Sequence, residues 1–206
     1  MKTNLFPVVI ASSTGGPSIL TEFLSNCTSN VLKYNTSFCI VQHGPQWMLE
    51  RFSNRLETIL DRKVVIVDKS IPFEPCTIYI APGNFHICFE SENILTTNDG
   101  PDENFVKPSA DPLFFSVAKY YRKYATGIVL SGLGYDGTKG AKEIKRMGGT
   151  IFVQTPESAV APSMPESIIR AELQNLTVAI KDMPKVLDLH IKMLLQKSNE
   201  NQRELL

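Results

Sequence analysis

Three short apolar runs, each followed by a turn that contains glycine and then by a stretch of helical periodicity, are the feature that most constrains this fold. They occupy residues 7–11, 37–41 and 127–130, and a further apolar run follows at 150–153. Short runs that alternate with helices in this way are typical of parallel sheets whose two faces are both covered. We therefore predict an α/β fold with a doubly wound, mostly parallel sheet and helices on both faces.

The middle of the chain departs from this alternation. Residues 64–67 form a further predicted strand, and the runs 77–80 and 86–89 indicate an inserted antiparallel hairpin. Residues 90–104 carry five acids and no Lys or Arg, which predicts a solvated surface loop. A helix rich in Phe and Val is expected at 111–121.

The chain shows no internal repeat and no segment with the composition of a linker. We expect one domain over residues 1–206, with a C-terminal helix and a polar tail from about residue 184. A closing structural helix is the simplest interpretation of that end, and a helix that binds a partner is the alternative.

Charge and composition exclude several classes of partner. The 206 residues contain 21 Lys and Arg against 21 Asp and Glu, so the formal net charge is zero and neither nucleic acid nor an anionic membrane surface is an expected partner. No apolar run approaches the roughly 20 residues that span a bilayer. The four cysteines form no CxxC pair, and the N-terminal apolar stretch of seven residues contains Pro7, so we expect a reduced, cytoplasmic protein without a signal peptide.

Polar side chains stand in the turns that follow three of the predicted strands. Ser13 follows the first strand, His43 the second and Asp136 the strand at 127–130. In open parallel sheets catalytic groups gather at these strand ends. A serine needs a base to become a nucleophile, a neutral imidazole suits that task near pH 7, and an aspartate orients the imidazole. The three residues therefore predict a nucleophilic triad, and Ser13, followed by Thr14 and two glycines at a helix start, lies where backbone N–H groups can stabilise an oxyanion.

Each of these residues also has a structural explanation. Ser12, Ser13 and Thr14 are residue types that commonly cap helices. His43 precedes a Gly-Pro turn, and Asp136 precedes a glycine in an ordinary turn dipeptide.

The other two histidines are less promising as functional residues. His86 lies in the predicted hairpin and His190 beside apolar residues of the last helix, so structural roles are expected for both. No His, Cys or acidic residues have the spacing of metal ligands, and no metal site is predicted.

A dinucleotide-binding turn is a competing interpretation of one glycine-rich segment. Gly132, Gly134 and Gly137 fit the pattern G-x-G-x-x-G after a strand, and Glu157 follows twenty residues later. Asp136 within that turn would repel a pyrophosphate, and the motif comes late in the chain for the usual arrangement of two mononucleotide-binding halves.

Several segments taken together resemble the catalytic domain of the CheB protein-glutamate methylesterase family of chemotaxis. They occur in family order over about residues 5 to 195: Ala11–Gly16, Ile40–His43 with Pro45, Ile78–Gly83 with His86, Lys107–Ser109 with Asp111, Leu130–Gly137, Gly148 and Gly149 with Gln154, and Met164 with Pro165.

The resemblance implies a role for each candidate residue. Ser13 would be the nucleophile, His43 the general base and Asp136 its orienting acid, with the backbone of Leu133 at the oxyanion site and Thr14 in the cleft. It implies hydrolysis of glutamyl methyl esters on methylated chemoreceptors with release of methanol, deamidation of receptor glutamines, and no cofactor. Family members commonly carry an N-terminal phospho-receiver domain, and since the first predicted strand begins at about residue 7, we expect the catalytic domain without it.

The chain departs from the family pattern at Leu133 and Gly44, where Met is usual, and at Lys107, where Arg is usual. We expect these changes to affect the shape of the cleft and the choice of substrate more than the chemistry. A non-catalytic module of the same fold that binds a receptor or another partner is the alternative function.

Overall fold

The computed structural model describes residues 5–27 and 35–203, with side chains up to residue 200. Ten strands and six α-helices follow one another along the described part of the chain: β1 (Phe6–Ser12), α1 (Gly16–Cys27), β2 (Thr36–Gln42), α2 (Gln46–Leu60), β3 (Val64–Ile66), β4 (Ile71–Pro72), β5 (Ile78–Ile80), β6 (His86–Ser91), β7 (Ile94–Asn98), α3 (Ala110–Tyr121), β8 (Thr126–Val129), α4 (Thr138–Arg146), β9 (Thr150–Gln154), α5 (Ser163–Arg170), β10 (Leu176–Val178) and α6 (Met183–Arg203).

Seven of the strands form one sheet in the order β10-β9-β8-β1-β2-β5-β3, and all its pairings are parallel. Strand β1 lies at the centre, because the chain builds the sheet first toward β2 and later, from β8 onward, on the other side. Ligands of open α/β sheets bind in the crevice at the carboxyl ends of strands where the order reverses in this way. The predicted fold class is confirmed.

Alternate residues of β1 face two separate cores. Val8 and Ile10 pack into a cluster with apolar residues of α1, α2 and α6, whereas Val9 and Ala11 pack into a cluster with residues of α3, α4 and α5. A strand buried on both faces is apolar throughout, which explains why the run at 7–11 lacks the alternation of a half-exposed strand.

The predicted hairpin was wrong in its pairing. The run at 77–80 is β5, which lies between β2 and β3 in the parallel sheet with Ile78, Tyr79 and Ile80 at most 1% exposed. Strand β6 instead pairs antiparallel with β7, and β7 with β4, in a separate three-stranded sheet. The stretch 90–104, predicted as a loop, therefore contains strand β7. The sequence did not reveal this strand, because Leu95 is its only fully buried residue and the neighbours of Leu95 are mostly polar.

The small sheet packs on α3 and thereby positions the start of that helix. The ring of Phe89 lies 4.9 Å from that of Phe73 and 5.2 Å from that of Tyr121, both as edge-to-face contacts. The backbone N–H of Phe89 also donates to Ser116 Oγ at 2.9 Å. Aromatic burial of this kind fixes α3 against the small sheet, and the backbone N–H of Ala110 at the start of the helix donates to Asp136 in the turn after β8.

The last helix, α6, packs against the same core as α1. Met183, Leu187 and Ile191 are fully buried there, while Leu189 and Met193 are about half exposed. Among the residues that the structure describes, none of the helices combines the length and the apolar character needed to cross a membrane.

Candidate active site

The site begins where β1 and β2 end side by side. The two strands stay in parallel register up to the pair Ser12 and Gln42, so Ser13 and His43 occupy the next position on each. The backbone N–H of His43 donates to Ser12 O at 3.0 Å, and that of Ser13 donates to Ser131 O, beyond β8, at 2.9 Å. Since paired strands lie about 4.8 Å apart, the sheet brings a serine and a histidine together at its carboxyl edge.

His43 contacts Asp136 directly. The distance from His43 Nε2 to Asp136 Oδ2 is 2.8 Å, and Asp136 is 2% exposed. A carboxylate only accepts hydrogen bonds, so Nε2 of a neutral imidazole carries the proton and Nδ1 keeps the lone pair. The arrangement gives the imidazole one orientation and leaves Nδ1 as the atom that can take a proton.

Four donors surround the carboxylate of Asp136. Oδ2 accepts from His43 and from the backbone N–H of Ala110, while Oδ1 accepts from Ser109 Oγ at 2.5 Å and Asn104 Nδ2 at 2.9 Å. Burial alone would raise the pKa of this carboxyl, but the hydrogen bonds from His43, Ser109 and Ala110 outweigh it and hold the pKa below its ordinary value. Asp136 is therefore an anion whose position is fixed at both oxygens.

A second buried acid lies beside the first. Asp111 is 1% exposed; its Oδ1 accepts from the N–H of Gly140 and its Oδ2 from Asn104 Nδ2, each at 2.7 Å. Burial raises the pKa of Asp111, and the charge of Asp136 raises it further against the opposing effect of these two donors.

The loops around Ser13 are held close to one another. Thr14 is exposed, and its carbonyl oxygen accepts from Ser131 Oγ at 2.7 Å, while Leu133 is 62% exposed on the opposite loop. Any Cβ on Gly132 would lie 2.8 Å from Ser13 Cβ, a distance that Cβ atoms do not adopt. The backbone before Leu133 thus approaches the serine as closely as only glycine permits.

Sequence reasoning missed Gln42 and Asn104 and gave Ser109 and Asp111 no role. Ser109 and Asp111 stood in matching segments of the resemblance, but nothing in the sequence showed that α3 starts beside Asp136. Asn104 fell in the stretch predicted as a loop. The buried Gln42, which ends an apolar strand, was the one local signal available, because a buried amide needs partners.

The two histidines with expected structural roles are hydrogen-bonded to groups other than Ser13, His43 and Asp136. His86 Nδ1 accepts from the N–H of Ser109 at 2.9 Å and its Nε2 contacts Pro101 O at 3.0 Å, so it holds the segment before α3. His190 is on α6, and its Nε2 lies 3.0 Å from Oγ1 of Thr126, on β8.

The geometry of the glycine-rich turn disfavours a dinucleotide. The carboxylate of Asp136 in that turn is bound to His43 and α3, and the N–H of Gly140 in the first turn of α4 is taken by Asp111. A pyrophosphate at a helix N-terminus needs such N–H groups free.

A cavity of about 550 Å³ opens next to the site. Its lining residues mix both charges with two aromatic rings: Asp102, Asn104, Phe105, Tyr135 and Lys139. Phe105 is 90% exposed and Tyr135 is 48% exposed, so the rim offers apolar surface to an incoming chain.

Comparison with known proteins identifies the family. The family model described as CheB methylesterase matches residues 8–187. A protein-glutamate methylesterase/protein-glutamine glutaminase of Caulobacter vibrioides is 33% identical over 170 residues, which cover 81% of this chain and 48% of that protein. The protein of the same name from Thermotoga maritima is 31% identical over 183 residues, covering 87% and 52%.

A solved structure gives the same result at the level of the fold. The crystal structure of the Thermotoga maritima CheB methylesterase catalytic domain superposes with a TM-score of 0.84 at 28% identity, covering 90% of this chain and 98% of that one. The chain spans about half the length of the curated relatives it matches. On the family match over residues 8–187 and these similarities, the chain belongs to the CheB methylesterase family.

Proposed function

We propose that this chain is a serine hydrolase that cleaves methyl esters of glutamyl side chains in a methylated protein, releases methanol, and deamidates glutaminyl side chains by the same route. The observation that carries the proposal is the contact between His43 Nε2 and Asp136 Oδ2, at the strand register beside Ser13. The relatives' names, which pair a glutamate methylesterase with a glutamine glutaminase, support the choice of substrate group.

In the first half-reaction, Ser13 Oγ attacks the γ-carbonyl carbon of the ester while His43 Nδ1 takes the hydroxyl proton. The tetrahedral intermediate collapses, the bond from carbon to the methoxy oxygen breaks, and the imidazolium returns the proton to give methanol. Water then attacks the acyl-enzyme with His43 again as base, the bond from the acyl carbon to Ser13 Oγ breaks, and the imidazolium returns the proton to Ser13. The glutamic acid that forms releases its own proton to solvent and leaves as the carboxylate. With a glutamine substrate the leaving group is ammonia, and no step needs a cofactor.

The negative charge of the tetrahedral intermediate falls on its carbonyl oxygen. We assign the backbone N–H of Leu133 to this oxygen, because the preceding Gly132 brings that loop against Ser13. Thr14, exposed beside Ser13, is assigned to the substrate-binding cleft.

The proposed substrate is a methylated chemoreceptor or a similar protein, in line with the resemblance. The proposed location is the cytoplasm, in line with the cysteine pattern of the sequence, which contains no CxxC pair and fits a reducing compartment.

The test is methanol release from receptor membranes methylated beforehand, with wild type, Ser13→Ala and the matched control Ser18→Ala, an exposed serine of α1. We expect Ser13→Ala to lower the rate by about 10⁴-fold or more and Ser18→Ala to leave it unchanged. Retained hydrolysis in Ser13→Ala would rule out the assigned nucleophile. Receptor binding by the wild type without methanol release would instead favour the non-catalytic module.

A further inference from the structure

We infer that Asn104 is a positioning residue for the proposed hydrolysis, which holds Asp136 in the orientation that His43 needs. The inference rests on the proposed function of the site. Asn104 sits in the tight turn that precedes α3 and is the residue that joins this turn to Asp136 by a side-chain hydrogen bond.

One nitrogen atom bridges two buried carboxylates. Nδ2 of Asn104 lies 2.9 Å from Asp136 Oδ1 and 2.7 Å from Asp111 Oδ2. An amide nitrogen has two N–H groups, so each acid receives one of them. Because both neighbours are acceptors, the chemistry also fixes which end of the amide faces them.

The bridge opposes a repulsion between like charges. Asp111 and Asp136 are both almost fully buried, and the charge of Asp136 raises the energy of the charged form of Asp111. With the amide removed, Asp136 Oδ1 would keep only Ser109 as a donor, and the two carboxylates would face each other across a gap. A carboxylate that turns away from Asp111 takes Oδ2 out of line with His43 Nε2.

The backbone of the turn suits this residue. Glu103 and Val106 exchange both backbone hydrogen bonds, and the two residues between them have positive φ angles, +56° at Asn104 and +65° at Phe105. These are the features of a two-residue hairpin turn of type I′, in which asparagine is favoured. Glycine accepts the same backbone angles, so Asn104→Gly removes the amide and keeps the turn.

The experiment compares wild type, Asn104→Gly, Asn104→Asp and the control Asn98→Gly as full chains. Asn98 lies at the end of β7, where its side chain accepts from the N–H of Gly100, and it is not among the four donors that surround Asp136, so Asn98→Gly removes an amide that the carboxylate does not use. The measurements are kcat and KM for methanol release across pH, circular dichroism as a check on folding, and the proton NMR signal of the His43 Nε2–H group.

We expect Asn104→Gly to lower kcat about 10- to 100-fold with little change in KM, since a misoriented base costs rate rather than binding. The acid limb of the pH profile should move to higher pH, and further in Asn104→Asp, which adds a third carboxylate. The His43 Nε2–H signal should shift or broaden in both variants and stay unchanged in Asn98→Gly.

An unchanged rate and pH profile in Asn104→Gly would overturn the inference, as would equal losses in Asn98→Gly. If wild type itself releases no methanol, the proposed function fails, and the NMR signal alone then decides whether Asn104 positions the pair of His43 and Asp136.

Discussion

The side chain of Gln42 donates a hydrogen bond of 3.0 Å from Nε2 to the carbonyl oxygen of Ser13. The same nitrogen donates to His43 O at 2.8 Å, and Oε1 accepts from Ser12 Oγ at 2.7 Å. Gln42 is 2% exposed, so these bonds are made in a buried place. One amide thus ties together the two chain segments that carry the proposed nucleophile and base.

Replacing Gln42 by Glu should remove the hydrogen bonds to Ser13 O and His43 O while the side chain keeps nearly the same shape. A carboxylate donates nothing and would face two carbonyl oxygens, so the backbones at Ser13 and His43 lose their common anchor. We expect kcat for methanol release to fall about 100-fold, as for other small misplacements of reacting groups, and the free energy of unfolding to drop by about 1 to 3 kcal/mol. Steady-state kinetics and urea unfolding measure the two effects.

The matched control is Gln196→Glu, which makes the same chemical change at an exposed position of α6. It should leave both kinetics and stability unchanged. A Gln42→Glu variant with wild-type kcat would show that the strands hold Ser13 and His43 in place without the amide.

Gly132→Ala should affect activity more than stability. The added methyl group would lie 2.1 Å from Met164 Sδ and 2.8 Å from Ser13 Cβ. The methionine is flexible and can move, whereas Ser13 is anchored through its backbone. We expect loss of methanol release to near the level of Ser13→Ala, with a loss of unfolding free energy of about 1 to 3 kcal/mol, typical of overpacking.

Gly134→Ala provides the contrast in the same loop. No atom lies within 4 Å of a Cβ at Gly134, but its φ of +87° strains any other residue. This variant should lose stability, by about 1 kcal/mol, and retain activity.

A double variant, Gly132→Ala with Met164→Ala, tests which contact causes the loss of activity in Gly132→Ala. If the double variant regained activity, the contact with Met164 rather than with Ser13 would be responsible for that loss.

Much of the fold could be predicted because most strands of the parallel sheet contain an apolar run that ends at a polar turn, with the short, half-exposed β10 as an exception. Ser13, His43 and Asp136 follow such runs, so their shared edge of the sheet was accessible to sequence reasoning. The hydrogen-bond partners of Asp136 could not be predicted in this way. Asn104 reaches Asp136 only because the small sheet places its turn at the start of α3, and the pairing of β6 with β7 was itself mispredicted.

Phe105→Gly should stabilise the protein and weaken substrate binding. The phenylalanine has a φ of +65° and is 90% exposed, so its ring contributes little burial while its backbone carries a cost. That cost is about 1 to 2 kcal/mol, partly offset by the greater freedom of glycine in the unfolded chain, which leaves a gain of about 0.5 to 1 kcal/mol. Because the ring lines the cavity beside the site, we expect KM for methylated protein to rise.

Phe105→Ala separates the two effects, since it removes the ring but keeps the strained backbone. It should raise KM as much as the glycine variant without the gain in stability, measured by urea unfolding. An unchanged KM in both variants would mean that the substrate does not contact this side of the cavity.

The stability of the protein should fall in mild acid because of His190. Burial lowers the pKa of this imidazole from 6.5 to about 4, and the charge of Lys197 adds to the effect. In the unfolded chain the imidazole takes up a proton as the pH drops below 6.5, while in the folded protein it stays neutral until about pH 4. The unfolded state therefore binds more protons in this window, and the contribution of His190 to folding decreases by up to about 3 kcal/mol between pH 7 and pH 4.

Comparison with His190→Gln isolates this contribution, because every other titrating group is common to both proteins and glutamine keeps a polar group near Thr126. At pH 7.5 the variant should be the less stable of the two, since it loses the edge-to-face contact of His190 with Phe152 at 5.2 Å. Urea unfolding at pH 7.5, 6.0 and 5.0 should show this difference shrinking as the pH falls. A difference that stays constant over the three pH values would mean that His190 does not change protonation between the folded and unfolded states in this range.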